Sequence, residues 1–239
     1  MKQIDFNALI HSVSYWFCYQ DRIGRGFMIQ ESSIKYPVAD YLTGIGIPLV
    51  QIKLEFLHPE LENRRIDLVT TDQPTVNSGY KILNAFEFKL AKDGTHEKSE
   101  KERIFNDLMR MYLMNTKQGS SSYFMIVGKH NDYINFFRNL TNAPAKNNRQ
   151  DIPDEAEGFY TEWFSFKRNS TKTFSIASPT NDEYKAIYKN FFDTYEGKTG
   201  VSKLSLPKPN ELTTRCVAFS SLVRDTPNPY VGGIWKIEA

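Results

Sequence analysis

AFEFKLAKDG, residues 85–94, sets Phe86, Phe88 and Leu90 in strict alternation with Glu87 and Lys89. Alternation at period two predicts a strand with one apolar face. Residues two apart then share a face, so a carboxylate and an ammonium emerge side by side opposite a buried surface. Such a pair costs solvation unless it has a task or a partner.

Working outward, PLVQIKLEFL (48–57), RRIDLVTT (64–71) and YKILNAFEFKLA (80–91) read as three strands. The connection DQPTVNSG carries Pro and Gly, as a hairpin loop does, so the three form an antiparallel meander. In RRIDLV, Ile66 and Leu68 alternate with Asp67. If this strand pairs with the next, Asp67, Glu87 and Lys89 share one face near one end of the hairpin. Two carboxylates a few ångströms apart raise one another's pKa unless a cation lies between them. Mg²⁺, or Mn²⁺, answers that need with oxygen ligands, and Lys89 beside it would position a water or stabilise charge on a phosphate. The alternative for the same residues is a cross-strand ion pair on a solvated face, worth ~0.2–1 kcal/mol.

Before the meander, residues 5–20 place Phe6, Leu9, Ile10, Val13, Trp16 and Phe17 at helical spacing, and RIGRG breaks the pattern. Residues 27–43 read as a second helix with the stripe Ile34, Val38 and Leu42, kinked at Pro37. Glu31 falls on or beside that stripe, near the helix start, turned to solvent, or aimed inward. After the meander, residues 96–116 form a helix on the stripe Ile104, Leu108 and Met111, with Arg103, Asp107 and Arg110 close enough in register to pair. SSYFMIVGK (121–129) is a buried strand that a crossover could set parallel to a neighbour, and DYINFFRNL is a short helix. Residues 142–157 read as an exposed loop. FYTEWFSFKR, KTFSIAS, TTRCVAFSSLV and VGGIWKIE then read as strands, with a helix at NDEYKAIYKNFFDTYEG, added to one sheet or forming a small second one.

The 239 residues, 40% hydrophobic and 24% charged, suit one large α/β domain and exclude wholesale disorder. A net charge of +2 is too small to argue nucleic-acid binding by itself. Two cysteines, Cys18 and Cys216, exclude a disulfide framework and a cysteine-rich metal site. Neither a signal peptide nor a run of about 20 apolar residues is present, so no membrane partner and a cytoplasmic location are expected. The histidines show no metal-ligand spacing, and there is no phosphate-cradling glycine motif.

Asp67 followed by Glu87-Phe88-Lys89 resembles the PD-(D/E)xK motif of the restriction-endonuclease-like nuclease superfamily. The order of elements from about residue 27 to about 128 is similar to that superfamily's core of helix, three antiparallel strands, helix and a further strand, with 158–239 as a C-terminal α/β extension. The resemblance implies a central mixed sheet, an antiparallel meander plus a parallel strand, flanked by helices. It implies a metal-dependent nuclease acting on DNA, ahead of RNA, with Mg²⁺ or Mn²⁺ held by Asp67, Glu87 and Glu31. Catalysis would rest on Lys89, Glu87 and Asp67, with the Phe88 carbonyl as a further ligand. The proline before the aspartate is replaced by Ile66. The helix after the motif often carries a polar residue toward the site, and Lys101, Arg103 and Asp107 are the candidates. Arg64, Arg65, Lys92, Lys101 and Arg103 would contact phosphates. A homodimer fits double-strand cleavage. Two alternatives remain: a catalytically inactive nuclease-fold module that binds a partner or nucleic acid, and a small-molecule or protein-binding domain in which these charges are solvated.

Overall fold

The computed structural model describes residues 3–61, 63–73, 79–92, 97–141, 163–196, 208–220 and 226–238. Helix α1 (Phe6–Arg22) begins at Asp5, whose carboxylate accepts the Asn7 and Ala8 N–H groups at 2.9 and 3.2 Å. That satisfies two of the donors a helix start leaves open. Two short 3₁₀ turns (Gly26–Met28 and Glu31–Ile34) lead into α2 (Lys35–Gly44). Strands β1 (Ile52–Leu57), β2 (Arg65–Thr71) and β3 (Ile82–Ala91) follow, then α3 (Glu97–Gln118), β4 (Ser121–Lys129) and α4 (His130–Thr141). The chain finishes with β5 (Thr171–Ser175), α5 (Asp182–Glu196), β6 (Glu211–Phe219) and β7 (Tyr230–Glu238).

All seven strands lie in one mixed sheet ordered β1-β2-β3-β4-β7-β6-β5. β3 and β4 pair in parallel, because α3 carries the chain back to the starting edge; the other neighbours are antiparallel. The sheet is an α/β core with helices on both faces. On one face α1 and α2 bury Leu9, Ile10, Val13, Phe17, Val38 and Leu42 against Phe86, Phe88 and Leu90. On the other, α3, α4 and α5 bury Ile104, Leu108, Phe136, Phe137 and Ile187 against Ala85, Ala91, Phe124 and Trp235. Phe88 is 1% exposed and its ring stacks on Phe86. Phe88→Ala should therefore destabilise the fold by about 3–5 kcal/mol. A urea midpoint equal to that of the wild type would show that the faces of β3 are reversed.

The structure corrects several expectations. Residues 27–43 are not one helix: α2 starts at Lys35, and Pro37 occupies its first turn. There its missing N–H has no intrahelical acceptor to lose, so it starts the helix and does not kink it. The strand expected from residue 48 begins at Ile52, after a 3₁₀ turn. Ile66 and Leu68 do not share a face: Ile66 joins the α3-side core and Leu68 the α1-side core. The change of face coincides with Glu55 on the neighbouring strand, held in the left-handed region (φ 50°), where β1 and β2 skip a pair. No strand forms at 163–168, although Trp163, Phe164 and Phe166 are buried there. The segment crosses the sheet face and bonds to it through side chains; the Trp235 indole donates to the Ser165 carbonyl at 2.8 Å. Among the described residues the late strands extend the one sheet and make no second one. The loop expected at 142–157, the start of the 159–168 strand and most of the hairpin loop at 72–79 lie outside the described residues. Cys18 and Cys216 are buried thiols and are not joined in a disulfide. Among the described residues no helix is long and apolar enough to cross a membrane.

Candidate active site

The antiparallel ladder between β2 and β3 runs from Thr71/Ile82 to Leu68/Phe86 and ends there, while β3 continues beside β4 to Ala91/Gly128. β3 thus loses one neighbour halfway along. The N–H groups of Phe88 and Leu90, which point to the vacated side, need acceptors. Two carboxylates supply them. Asp67 Oδ2 accepts the Phe88 N–H at 2.9 Å, and Glu31 Oε2 accepts the Leu90 N–H at 3.4 Å. The fork between the strands is therefore filled by acidic side chains, one from the end of β2 and one from the turn before α2.

Glu87 and Lys89 point from β3 toward α3. Lys89 Nζ lies 2.7 Å from Glu100 Oε1 and 3.4 Å from Glu31 Oε2. Glu87 Oε1 lies 3.1 Å from Arg110 Nη2, and the same guanidinium bonds Asp107. On the outer side, Lys35 Nζ bridges Asp67 Oδ1, at 2.9 Å, and Glu55. Glu31, Asp67, Glu87 and Lys89, the four residues singled out in the sequence, are thus brought together. Glu31 is half exposed at the mouth, whereas Glu87 and Lys89 are buried.

Among the described residues, ion pairs link the carboxylates of Glu31, Glu55, Asp67, Glu87, Glu100 and Asp107 to Lys35, Lys89, Arg103 and Arg110. Burial first, then Asp107 and Asp67, raise the Glu87 pKa far above the usual carboxylate range against the pull of Arg110. Asp107 is pushed up to about 6, by burial and then by Glu31 and Asp67, while Arg110 and Lys89 oppose. Burial lowers the Lys89 pKa, but Glu31, Asp107 and Glu100 outweigh it and hold it above the ordinary value. Asp107 and Glu87 do the same for Arg110. Glu87 Oε1 and Glu100 Oε1 lie at ion-pair distance from their cations but off the hydrogen-bond direction, so neither buried oxygen makes a hydrogen bond.

These observations bear on the divalent cation. The donors are hard carboxylate oxygens, one of them buried and without a hydrogen bond; that chemistry fits Mg²⁺ or Mn²⁺. The arrangement is not yet a ligand set. Among the described residues no three His, Cys, Asp or Glu side chains are grouped as a metal site. Lys35 and Arg110 stand against Asp67 and Glu87.

Of the expected phosphate contacts, Arg64, Arg65 and Lys92 are exposed, and Arg103 is exposed beside Glu100 at 3.7 Å. Arg64 also lies over the Tyr195 ring. Lys101 is a correction: it is 1% exposed and paired to Glu183 on α5 at 3.0 Å, so it ties two helices together and cannot reach a phosphate. Asp107 is the helix residue that faces the site. Glu100, Arg110, Lys35 and Glu55 were missed. Glu100 and Asp107 are seven apart on α3, with Arg110 three further on, which puts all three on one helical face.

His58, in the loop after β1, is buried and anchors α3: its Nε2 lies 3.1 Å from the Arg110 carbonyl and its Nδ1 accepts the Glu60 N–H at 3.0 Å. Burial, with the nearby Arg110 charge, lowers its pKa to about 4. The folded state then binds fewer protons than the unfolded state between about pH 6.5 and 4, so stability falls as pH falls through that window. The loss should reach roughly 3 kcal/mol and should be absent in His58→Gln. Equal pH dependence of the two proteins in urea melts would contradict the assignment.

No family model matches this chain, and neither does any curated protein or solved structure.

Proposed function

We propose that the protein is a metal-dependent phosphodiesterase acting on nucleic acid, with a restriction-endonuclease-like core formed by α2, β1, β2, β3, α3 and β4. The observation that carries this is the fork at β3. Carboxylates from the turn before α2, from β2 and from β3 meet where the β2–β3 ladder ends, with a buried lysine two residues beyond the β3 glutamate. The parallel pairing of β3 with β4 across α3 agrees with the element order of the PD-(D/E)xK resemblance.

Asp67, Glu87 and Glu31 would hold Mg²⁺ or Mn²⁺. A bound ion supplies Lewis-acid stabilisation of charge on phosphoryl oxygens. The chain's own residues do the rest. Lys89 stays charged at neutral pH and offers a donor to a water or a phosphoryl oxygen near Glu31. Glu100 fixes the direction of its ammonium. Asp107 and Arg110 orient Glu87. Exposed Arg64, Arg65, Lys92 and Arg103 would contact the backbone of the substrate.

A second reading, a nuclease-fold module without hydrolytic activity, is favoured by one observation. Arg110 and Lys35 already neutralise Glu87 and Asp67 without a metal. The two readings separate in one assay on end-labelled DNA and RNA with Mg²⁺ or Mn²⁺. The phosphodiesterase cuts at least one substrate, stops in EDTA, and loses the activity in Asp67→Asn, whose amide oxygen can still accept the Phe88 N–H. Binding of labelled nucleic acid without cutting under any metal condition would support the inactive module.

A further inference from the structure

Beside the Glu31 turn lies an open groove of about 810 Å³ lined by Trp16, Phe27 and Tyr36 together with Gln20, Gln30 and Arg25. We infer that this groove binds the unstacked bases of single-stranded nucleic acid, leading the strand to the phosphodiesterase site; the inference rests on that assignment of the site.

Five observations carry it. Trp16 packs against the α1-side core, but the rest of the aromatic wall stands outside both cores: Phe27 is 84% exposed, and Tyr36 and the adjoining Met28 are exposed as well. Apolar faces left in water at this cost suit a planar ligand that stacks on them, and every nucleobase offers such a face. Besides the aromatics, Met28 and Ile29, the lining carries amides, hydroxyls and a guanidinium, which suit base edges and phosphates. Arg25 makes no ion pair among the described residues, while the neighbouring acid, Asp21, is held by Lys129 at 3.1 Å. Arg25 therefore offers a guanidinium to a phosphate on this wall.

The wall is also built to persist. Gly24 takes the left-handed conformation (φ 81°) that ends α1, and Gly26 leaves no room for a Cβ against the Asp21 carboxylate. The Gly24, Arg25, Met28 and Ile29 N–H groups are all bonded within the turn, so Arg25 and Phe27 are displayed from fixed backbone. Finally, Gln30 and Ser32, which line the groove, flank Glu31, whose carboxylate is 3.4 Å from Lys89. A phosphate at Lys89 would place the adjacent nucleotide at the groove. In a duplex the base faces are hidden, so the groove selects a single strand.

Trp16 reports on this directly, because Trp163 and Trp235 are buried at 1% and 0% exposure. The test is a fluorescence titration in EDTA with a short oligothymidylate, its abasic counterpart of equal length, and the matching duplex. The oligothymidylate should quench Trp16, the abasic strand and the duplex should not, and Phe27→Ala and Tyr36→Ala should each weaken binding about tenfold. Both positions are exposed, and an unchanged melting temperature confirms that the variants fold. Equal binding of the abasic strand, equal quenching by the duplex, or unchanged affinity in both variants would overturn the inference. Hydrolysis is read separately on the same preparations. Base-dependent quenching without metal-dependent cleavage keeps the groove and removes the phosphodiesterase. Cleavage with base-independent binding does the reverse.

Discussion

Lys89→Ala should lower hydrolysis by a factor of about one hundred or more, as removal of a donor to developing negative charge does. It should also cost stability. Lys89 is buried, and its closest partner, Glu100, is buried too. Taking away one partner of a buried pair leaves an uncompensated carboxylate, which costs about 3–5 kcal/mol. Loss of activity alone would therefore be ambiguous, and the double variant Lys89→Ala, Glu100→Gln separates the two effects. The neutral amide needs no counter-charge, so most of the stability returns. The activity does not, because the ammonium near Glu31 is still missing. If the double variant regains both, Lys89 is a structural residue and the site assignment fails.

Arg110→Ala is expected to be the most destabilising change at the site, again by about 3–5 kcal/mol. Its guanidinium serves Glu87 and Asp107, both already pushed toward the protonated form by burial. Without it, two carboxylates share one buried space. Adding Glu87→Gln to Arg110→Ala should recover part of the loss by removing one of them. The melting temperature of Arg110→Ala should also rise on adding Mn²⁺, and that of the double variant should not. An Arg110→Ala protein as stable as the wild type would show that the guanidinium does not balance these carboxylates.

The strands near the site were legible because period-two patterns are strong where one face is buried: β2, β3 and β4 lie within two residues of their expected bounds. That Glu87 and Lys89 share a face followed from parity along β3, whereas Asp67 lies near them through the fork where the β2–β3 ladder ends. What escaped notice depends on tertiary placement. KSEKER reads as a solvated charge run, yet Glu100 and Lys101 are both buried, each against a residue distant in sequence or on another element. Helical spacing puts Glu100 on the face of Asp107, but spacing does not say which face meets the sheet when charges of both signs interleave. Lys35 lies one helical turn after Glu31, a signal that passed unused because its partners, Glu55 and Asp67, come from strands. The left-handed Glu55 and the change of face at Ile66 have no sequence signature, since glutamate gives no hint of positive φ. WFSF carries the alternation of a strand, and an extended segment lying across a sheet satisfies the same pattern without ladder bonds.

The fork itself explains why the acidic residues are tolerated. Glu31 and Asp67 cap the β3 N–H groups that the departing β2 leaves open, so they hold local structure whether or not a metal binds. Glu87 bonds no backbone N–H of this kind; its buried Oε1 faces Arg110 at 3.1 Å without forming a hydrogen bond.

Calorimetric titration of Mg²⁺ and Mn²⁺ into the wild type and into Asp67→Asn, Glu87→Gln tests the central claim most directly, because no substrate need be known. The account predicts saturable binding to the wild type and none to the double variant, with both proteins folded. Identical heats for the two, or no binding to the wild type even with a non-hydrolysable nucleic-acid analogue present, would contradict it.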